Sequence, residues 1–367
     1  MCSAMSHKQI VMLGTDWRSP GGMTAVIHQY HAAGLWQQWP ILYLATFHHD
    51  RLGNKLKLAA SAALSLLGLL LRGRVALVHA HGAVYGSFWR KGLLLMLARL
   101  FGVPTIFHLH GGEFVHFYET CCGPRRRWLV RYLLRHMGVI CVLSQRWADL
   151  LQTVEPACKP VIVPNPIGLP AQAAQPQAGR LLFLGRLRDV KGVYELITAL
   201  SLLRERFPHL RLVLGGDGDQ APLWAHARAQ GVADMVEMPG WIDGDAKASA
   251  LREAEVFVLP SHYEAQPVCI LEAMAQGVPV VATSVGGIPD MCDDGVHALL
   301  VPAQQPEQLA AAIARLLDDA ELRQTLARQA YQRVVAHYSH QQVMQQLGRL
   351  YQSLGAQPGI SLREVKV

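Results

Sequence analysis

"EVFVLPSHYEAQPVCILEAMAQGVPVVATSVGG", residues 255–287, reads as strand, loop, helix and second strand. Neither apolar run alternates with polar residues, which suits strands covered on both faces of a parallel sheet, and parallel strands require a helical crossover. The helix is expected to begin near Pro267, because proline lacks only a donor that the first turn leaves free. Glu264 sits on the loop leaving the first strand, and Glu272 lies within the helix. At ~1.5 Å rise per residue, Val268 and Glu272 are ~6 Å apart, enough for the two carboxylates to reach different parts of one ligand. The first-turn amides around Gln266 to Cys269 would point at whatever Glu264 touches. Two glutamates at this spacing also arise by chance, with Glu272 as a solvated helix residue.

The same pattern runs through the whole 367-residue chain. Buried-type strands are expected at 9–14, 76–82, 104–112 and 138–144, and again at 180–187, 210–219, 235–241, 254–261 and 278–287, with helical segments between. A Pro/Ala/Gln stretch without periodicity, "LPAQAAQPQAG" at 169–179, separates the two sets and reads as a linker. The fold class is therefore α/β, with two doubly wound Rossmann-like domains, 1–170 and 171–338, facing across a cleft. The helical stretch within 339–367 is expected to cross back to the first domain. No solenoid-type repeat is evident.

Residues 1–170 hold 17 Lys and Arg against 6 Asp and Glu, a balance of +11 within a total of +7. That favours anionic partners, nucleic acid or a membrane face. Seven cysteines without a CxxC pair suggest neither a disulfide framework nor a zinc ribbon, and fit a reducing, cytoplasmic setting. The opening "MCSAMSHKQIVMLGTD" lacks the build of a signal peptide. The longest apolar run, "LAASAALSLLGLL" at 58–70, falls short of the ~20 residues of a spanning helix and is expected to be buried or interfacial.

Three further constellations lie at expected strand ends. In "FLGRLRDVKG", Arg186 and Lys191 flank the turn from a strand into a helix, a place where two cations favour phosphate. Alone, they equally fit two solvated surface charges. In "TDWRSPGGMTAVI", Gly21 and Gly22 allow close backbone approach to an anion, or simply make a tight turn. Neither GxGxxG nor a Walker A pattern is present. The pairs "HAHG" at 79–82 and "HLHGG" at 108–112 place histidines on one strand face. No carboxylate or Cys completes a metal set, so His110 reads better as a polar contact to substrate than as a ligand; it also fits a hydrogen-bonded core histidine.

Taken in order, the Gly-Gly loop, "HLHG", "NPI", "GRLRDVKG", "GGDGD", "EAQPVCILEAMA" and "VGGIPD" resemble the retaining glycosyltransferases of family 4, with the two-domain GT-B fold, over residues 9–350. The resemblance implies roles. Arg186 and Lys191 would hold the donor diphosphate, with the Gly21 and Gly22 amides assisting. Glu272 would bind the nucleotide ribose. Glu264 would contact the transferred sugar with help from the backbone at Gln266, Pro267 and Val268, and His110 would lie near sugar and acceptor. Departing nucleoside diphosphate gains negative charge, so preorganised cations stabilise that transition state most. The implied reaction is same-face transfer from a UDP- or GDP-sugar, with no metal or other cofactor. Many relatives have Gly where this chain has Ala265.

The basic stretches "WRKGLLLMLARLFG" at 89–102 and "GPRRRWLVRYLLRHMG" at 123–138 mix cations with Leu, Trp and Tyr. They suit either an anionic membrane surface or an ordinary helix layer with a cationic outer face. With the resemblance, they imply a peripheral enzyme at the inner face of the plasma membrane. Its acceptor would be a saccharide, lipid-linked, in exopolysaccharide, capsule or lipopolysaccharide synthesis. The rival readings are a GT-B protein that binds nucleotide sugar without turnover, a glycosyl phosphorylase, for which no pyridoxal-anchoring lysine stands out, and a nucleic-acid binder, for which no groove-reading motif is present.

Overall fold

The computed structural model describes residues 8–19, 21–48 and 52–359. The leader-peptide reading of the opening residues and the end of the 339–367 segment lie outside the described residues. The chain forms two compact units, one ending at Pro166 and resuming at His340, the other running Ile167–Ser339.

In the first unit, β1 (Gln9–Gly14), β2 (Ile41–Ala45), β3 (Val75–Gly82), β4 (Thr105–Leu109), β5 (Val139–Val142) and β6 (Pro160–Ile162) form a parallel sheet in the order β2-β1-β3-β4-β5-β6. Ile10 to Leu13 are all fully buried, the physical reason that β1 shows no polar alternation. The connecting helices are α1 (Gly22–Ala32), α2 (Leu35–Gln38), α3 (Leu52–Leu71), α4 (Gly86–Leu100), α5 (Phe114–Thr120), α6 (Pro124–His136) and α7 (Gln145–Val154). Steps from β2 through β5 all run in one direction, so right-handed crossovers place α3, α4 and α6 on one face and α1 on the other. Accordingly α4 packs against both α3 and α6. A Cβ at Gly92 would stand 3.2 Å from Leu133 Cδ1, so the small residue lets α4 and α6 approach closely.

The helix α3 is longer than its apolar run. It continues through Lys55 and Lys57 to 20 residues, because solvated lysines end the apolar stretch without breaking a helix. Among the described residues this is the one helix long and apolar enough to cross a membrane. The length argument against spanning therefore does not hold, and the topology of the strands on either side of α3 has to decide.

The second unit has the parallel order β12-β11-β10-β7-β8-β9, from β7 (Arg180–Leu184), β8 (Arg211–Gly215), β9 (Val236–Gly240), β10 (Val256–Leu259), β11 (Val280–Thr283) and β12 (Leu299–Val301). Its helices are α8 (Val193–Leu203), α9 (Ala221–Ala229), α10 (Gly244–Glu253), α11 (Val268–Gln276), α12 (Ile288–Met291), α13 (Pro306–Asp318) and α14 (Ala320–His337). Residues 169–179 are not a free tether. The amides of Gln175 and Gln177 donate to the Arg252 and Glu253 carbonyls at 2.8 Å, and Gln276 Nε2 donates to the Gln172 carbonyl at 2.8 Å. Lack of periodicity marked a segment without regular structure, but not one without partners.

The last helix, α15 (His340–Ser353), packs in the first unit. Its Tyr351 is fully buried, hydrogen-bonded to His79 Nδ1 at 2.7 Å and edge-on to Trp39 at 5.2 Å.

Candidate active site

Both sheets reverse their strand order once, β1 against β3 in the first and β7 against β10 in the second. In open α/β sheets the crevice beyond the carboxyl ends of such strands is the ligand position. The expected residues fall at these two places, each considered within its own unit.

In the second unit, the turn after β7 is tied to its neighbours by backbone bonds: the Gly185 amide donates to the Gly215 carbonyl at 3.0 Å, and that of Leu187 to the Asp217 carbonyl at 2.7 Å. Arg186 lies there, its Nε 3.8 Å from Asp217 Oδ1. A short 3-10 turn, Asp189–Lys191, follows and ends at Gly192, whose φ is +69°. A side chain at 192 would run into the Pro260 carbonyl, so only glycine lets the two loops meet. The His262 amide donates to the Val190 carbonyl at 2.9 Å, and His262 Nε2 meets Glu195 Oε1 at 2.8 Å, completing the seam.

Across it, Lys191 Nζ donates to Glu264 Oε1 at 2.6 Å, and Ser261 Oγ donates to the same oxygen at 2.8 Å. Residues 73 positions apart are thus one constellation. The Lys191 and Glu264 side chains are 26% and 11% exposed, so the pair is largely dry without being sealed. Behind it, Gly286 at φ +54° lies against the Glu264 backbone, and the Gly287 amide donates to the Glu264 carbonyl at 3.2 Å.

The helix α11 starts at Val268 with Pro267 as its N-cap residue, as expected from the missing proline donor. Gln266 and Val268 are buried. Glu272 is not a solvated helix residue: it is 11% exposed and accepts from Lys247 Nζ at 2.6 Å. Cys269 sits within electrostatic reach of Glu264, Glu272 and Lys191. Burial first, and then the two carboxylates, push its thiol far up, which leaves it neutral and unreactive.

In the first unit, Gly21 at φ +146° is the N-cap residue of α1, and Gly22 begins the helix with open space where a side chain would stand. Packing does not demand glycine at 22, whereas close approach of an anion to the first-turn amides would use it. His110 follows β4 and is half-buried, its amide donating to the Gly82 carbonyl at 2.7 Å. Its ring is held on one side, where Nε2 pairs with His81 Nδ1 at 2.9 Å, and Asn165, part of the "NPI" motif, lies close enough to act on it electrostatically.

The parallel register sets His81 opposite His108, which puts His79, His81, His108 and His110 on one sheet face. The first three are fully buried, with ring nitrogens within 4.8 Å of one another, a spacing that could hold a metal ion. No carboxylate or thiolate belongs to that group. One nitrogen of each ring is committed, to Tyr351, to His110 and to the Val163 carbonyl respectively.

Burial, followed by the neighbouring imidazoles, holds His79, His81 and His110 well below the usual range, and burial pushes His108 down to about 4. The sign of the pH effect follows. An unfolded histidine titrates at about 6.5, so below that pH the unfolded chain binds protons that the folded chain refuses, and stability falls with falling pH. Thermal melts from pH 7.5 to 5 are expected to lose several degrees, with a shallower slope in His108→Gln. A flat profile would contradict three buried neutral rings beside a half-buried fourth.

Sequence reading did not find Ser261, Lys247, Asn165 or Lys91. Lys247 and Asn165 lie against residues distant in sequence, and Ser261 reaches Glu264, three positions on, only through the fold of the loop between them. Lys91, on α4, is fully buried beside Ser87 Oγ at 3.2 Å and Met23 Sδ at 3.8 Å, and burial pushes its ammonium down to about 7. A buried lysine in an apolar helical run gives no local signal beyond its position.

Known families match this arrangement along most of the chain. Residues 22–166 match the glycosyl transferase 4-like domain and residues 170–333 the glycosyl transferases group 1. The alpha-D-kanosaminyltransferase of Streptomyces kanamyceticus is 28% identical over 76% of this chain and 78% of its own length. A D-inositol 3-phosphate glycosyltransferase of an Arthrobacter species is 31% identical over 70% of this chain and 66% of its own length. Among solved structures, a sucrose-phosphate synthase of Thermosynechococcus elongatus superposes with a TM-score of 0.80 at 22% identity, covering 95% of this chain and 99% of that one. HepE of Anabaena in complex with UDP-glucose gives 0.76 at 18% identity, over 95% and 100%. With both units matched in order and the fold shared, the chain belongs to the family 4 glycosyltransferases of the GT-B fold.

Proposed function

We propose that the protein transfers a hexose, with retention of anomeric configuration, from a UDP- or GDP-sugar to a saccharide acceptor that is lipid-linked, in bacterial polysaccharide synthesis at the inner face of the membrane. The observation that carries the catalytic part is the Lys191–Glu264–Ser261 cluster beside Arg186 at the strand-order reversal of the second unit.

In this reading the donor diphosphate lies against Arg186 and Lys191. The Lys191 ammonium is then shared between a phosphate oxygen and Glu264, and its charge counts most as the glycosidic bond breaks and the diphosphate gains charge. Glu264, held by Ser261 and by the Gly287 amide, faces the transferred sugar. Glu272, held by Lys247, takes the ribose hydroxyls. Within the first unit, Gly21 and Gly22 offer backbone donors suited to an anion, and His110 offers a neutral imidazole oriented by His81. The departing phosphate oxygen receives the acceptor proton on the same face, so no enzymatic nucleophile is needed. Two cations at the leaving group supply the charge that a metal provides elsewhere, so the proposed reaction is metal-independent. The UDP-glucose complex of HepE supports a nucleotide-sugar donor.

The test is a thermal-shift panel of UDP-, GDP- and ADP-sugars in buffer containing EDTA. A donor at a hundredfold its Kd adds about 2.7 kcal/mol of stability. One base is expected to raise the Tm and to support transfer, and NMR of the product is expected to show the donor's anomeric configuration. No shift with any donor, an inverted product or a rate abolished by EDTA would each overturn the corresponding part.

A further inference from the structure

A helix that is apolar all round belongs either in a protein core or against lipid. By that criterion α3 is anomalous. No charged residue lies between Lys57 and Arg72, yet only the stripe Ala62, Leu66 and Leu70 is buried against the first unit. On its outer side, Leu56 and Leu64 stand 63% and 69% exposed. The adjacent helices continue this surface. Leu93 and Leu100 of α4 are 68% and 82% exposed, and Trp128 of α6 is 67% exposed. Since α4 packs against both α3 and α6, the exposed leucines and the tryptophan belong to one layer. Trp128 stacks on Tyr132, and Tyr132 on His136, giving a short row of amphipathic rings on the outside of α6.

Cations border this apolar field. Lys57 stands exposed in the first turns of α3, Arg72 and Arg74 follow its end, and Arg125 and Arg126 are exposed at the start of α6. Other cations of α6 are committed elsewhere. Arg127 donates to the carbonyls of Tyr118, Glu119 and Cys122, while Arg131 and Arg135 pair with Glu155. An apolar centre with aromatic rings and a cationic border matches the depth profile of an anionic bilayer surface, where acyl chains lie beneath charged headgroups.

We infer that the outer face of α3, α4 and α6 is a membrane-docking surface, with α3 lying in the interfacial plane of an anionic bilayer. Topology excludes spanning. The strands on either side of α3, β2 and β3, both pair with β1 in one sheet. A spanning helix would leave its two ends ~30 Å apart on opposite sides of the bilayer, and one sheet cannot hold both. The inference deepens the membrane reading above. Its test uses neither donor nor acceptor, so its failure leaves the transfer chemistry standing.

The full chain is floated with vesicles of phosphatidylcholine alone or mixed with phosphatidylglycerol, at low and high salt. The wild type is expected to bind the anionic vesicles, less so at high salt. Leu64→Glu with Leu93→Glu alters two exposed positions, so its Tm should match wild type while vesicle partitioning falls about tenfold or more. Arg125→Ser with Arg126→Ser should lower binding about tenfold on anionic vesicles only. Wild type that leaves both vesicles unbound, or a leucine variant that binds equally well, overturns the inference. So does a wild-type dimer that the leucine variant turns into monomer, because the face would then belong to a second copy of the chain.

Discussion

Lys191→Ala is expected to lower kcat by about 10²- to 10³-fold, the range typical for removal of one preorganised group that stabilises developing negative charge. Two effects combine in this variant. The leaving diphosphate loses a cation, and Glu264, 11% exposed, loses the ammonium 2.6 Å from its carboxylate. The second effect also costs stability, on the order of 1–3 kcal/mol, at the lower end because Lys191 keeps some solvent contact. Glu264→Gln in the Lys191→Ala background separates the two. It removes the stranded charge and should restore much of the Tm, while the rate stays low because the cation is still missing. A single Lys191→Ala variant with kcat within threefold of wild type and a normal Tm would end the proposed role. Lys191→Arg keeps charge but brings a planar fork into a site shaped for an ammonium, so partial activity is expected.

Glu272→Ala should act on a different parameter. In the proposed arrangement Glu272 bonds the ribose, which does not change during transfer, so the contact contributes equally to ground and transition states. Loss of a charged hydrogen bond of about 1.5–3 kcal/mol raises the donor KM by roughly 10- to 100-fold with kcat little changed. Lys247→Ala should reproduce part of this effect, because Lys247 Nζ holds the carboxylate at 2.6 Å. Glu264→Ala should instead lower kcat, since the sugar is where charge and geometry change. Steady-state kinetics with the donor varied decides. Equal losses in both parameters from both glutamate variants would undo the division.

Most of the strands legible in the sequence had runs of consecutive buried apolar residues, such as Ile10 to Leu13 and Val256 to Leu259, whereas β9, also expected, is buried only at Val236. β2, β6 and β12 were not anticipated. β2, "ILYLA", is half-buried along most of its length at the sheet edge, and β6, like β12, has only three residues, too few for a pattern. The start of α11 was legible because proline carries its own backbone rule. The true extent of α3 was not, since polar residues at a helix end are compatible with either helix or loop.

Sequence alone determined the fold class, the chain order of the two units and the residue types at the strand ends. These depend on local quantities: apolar runs, turn residues and their spacing. Tertiary structure decided what each charged group faces. Lys191 and Arg186 looked alike as two cations flanking a turn, yet one is pinned to Glu264 and the other lies near Asp217. Glu272 could have been a solvated residue, and its partner Lys247 lies on α10. His110 was singled out by its place at a strand end, but its partner His81, 29 positions away, became visible only in the structure. The apolar surface of α3 became visible only once packing showed which of its faces the core covers. Ion pairs, hydrogen bonds and burial act through space between residues far apart in the chain, so no local pattern carries them.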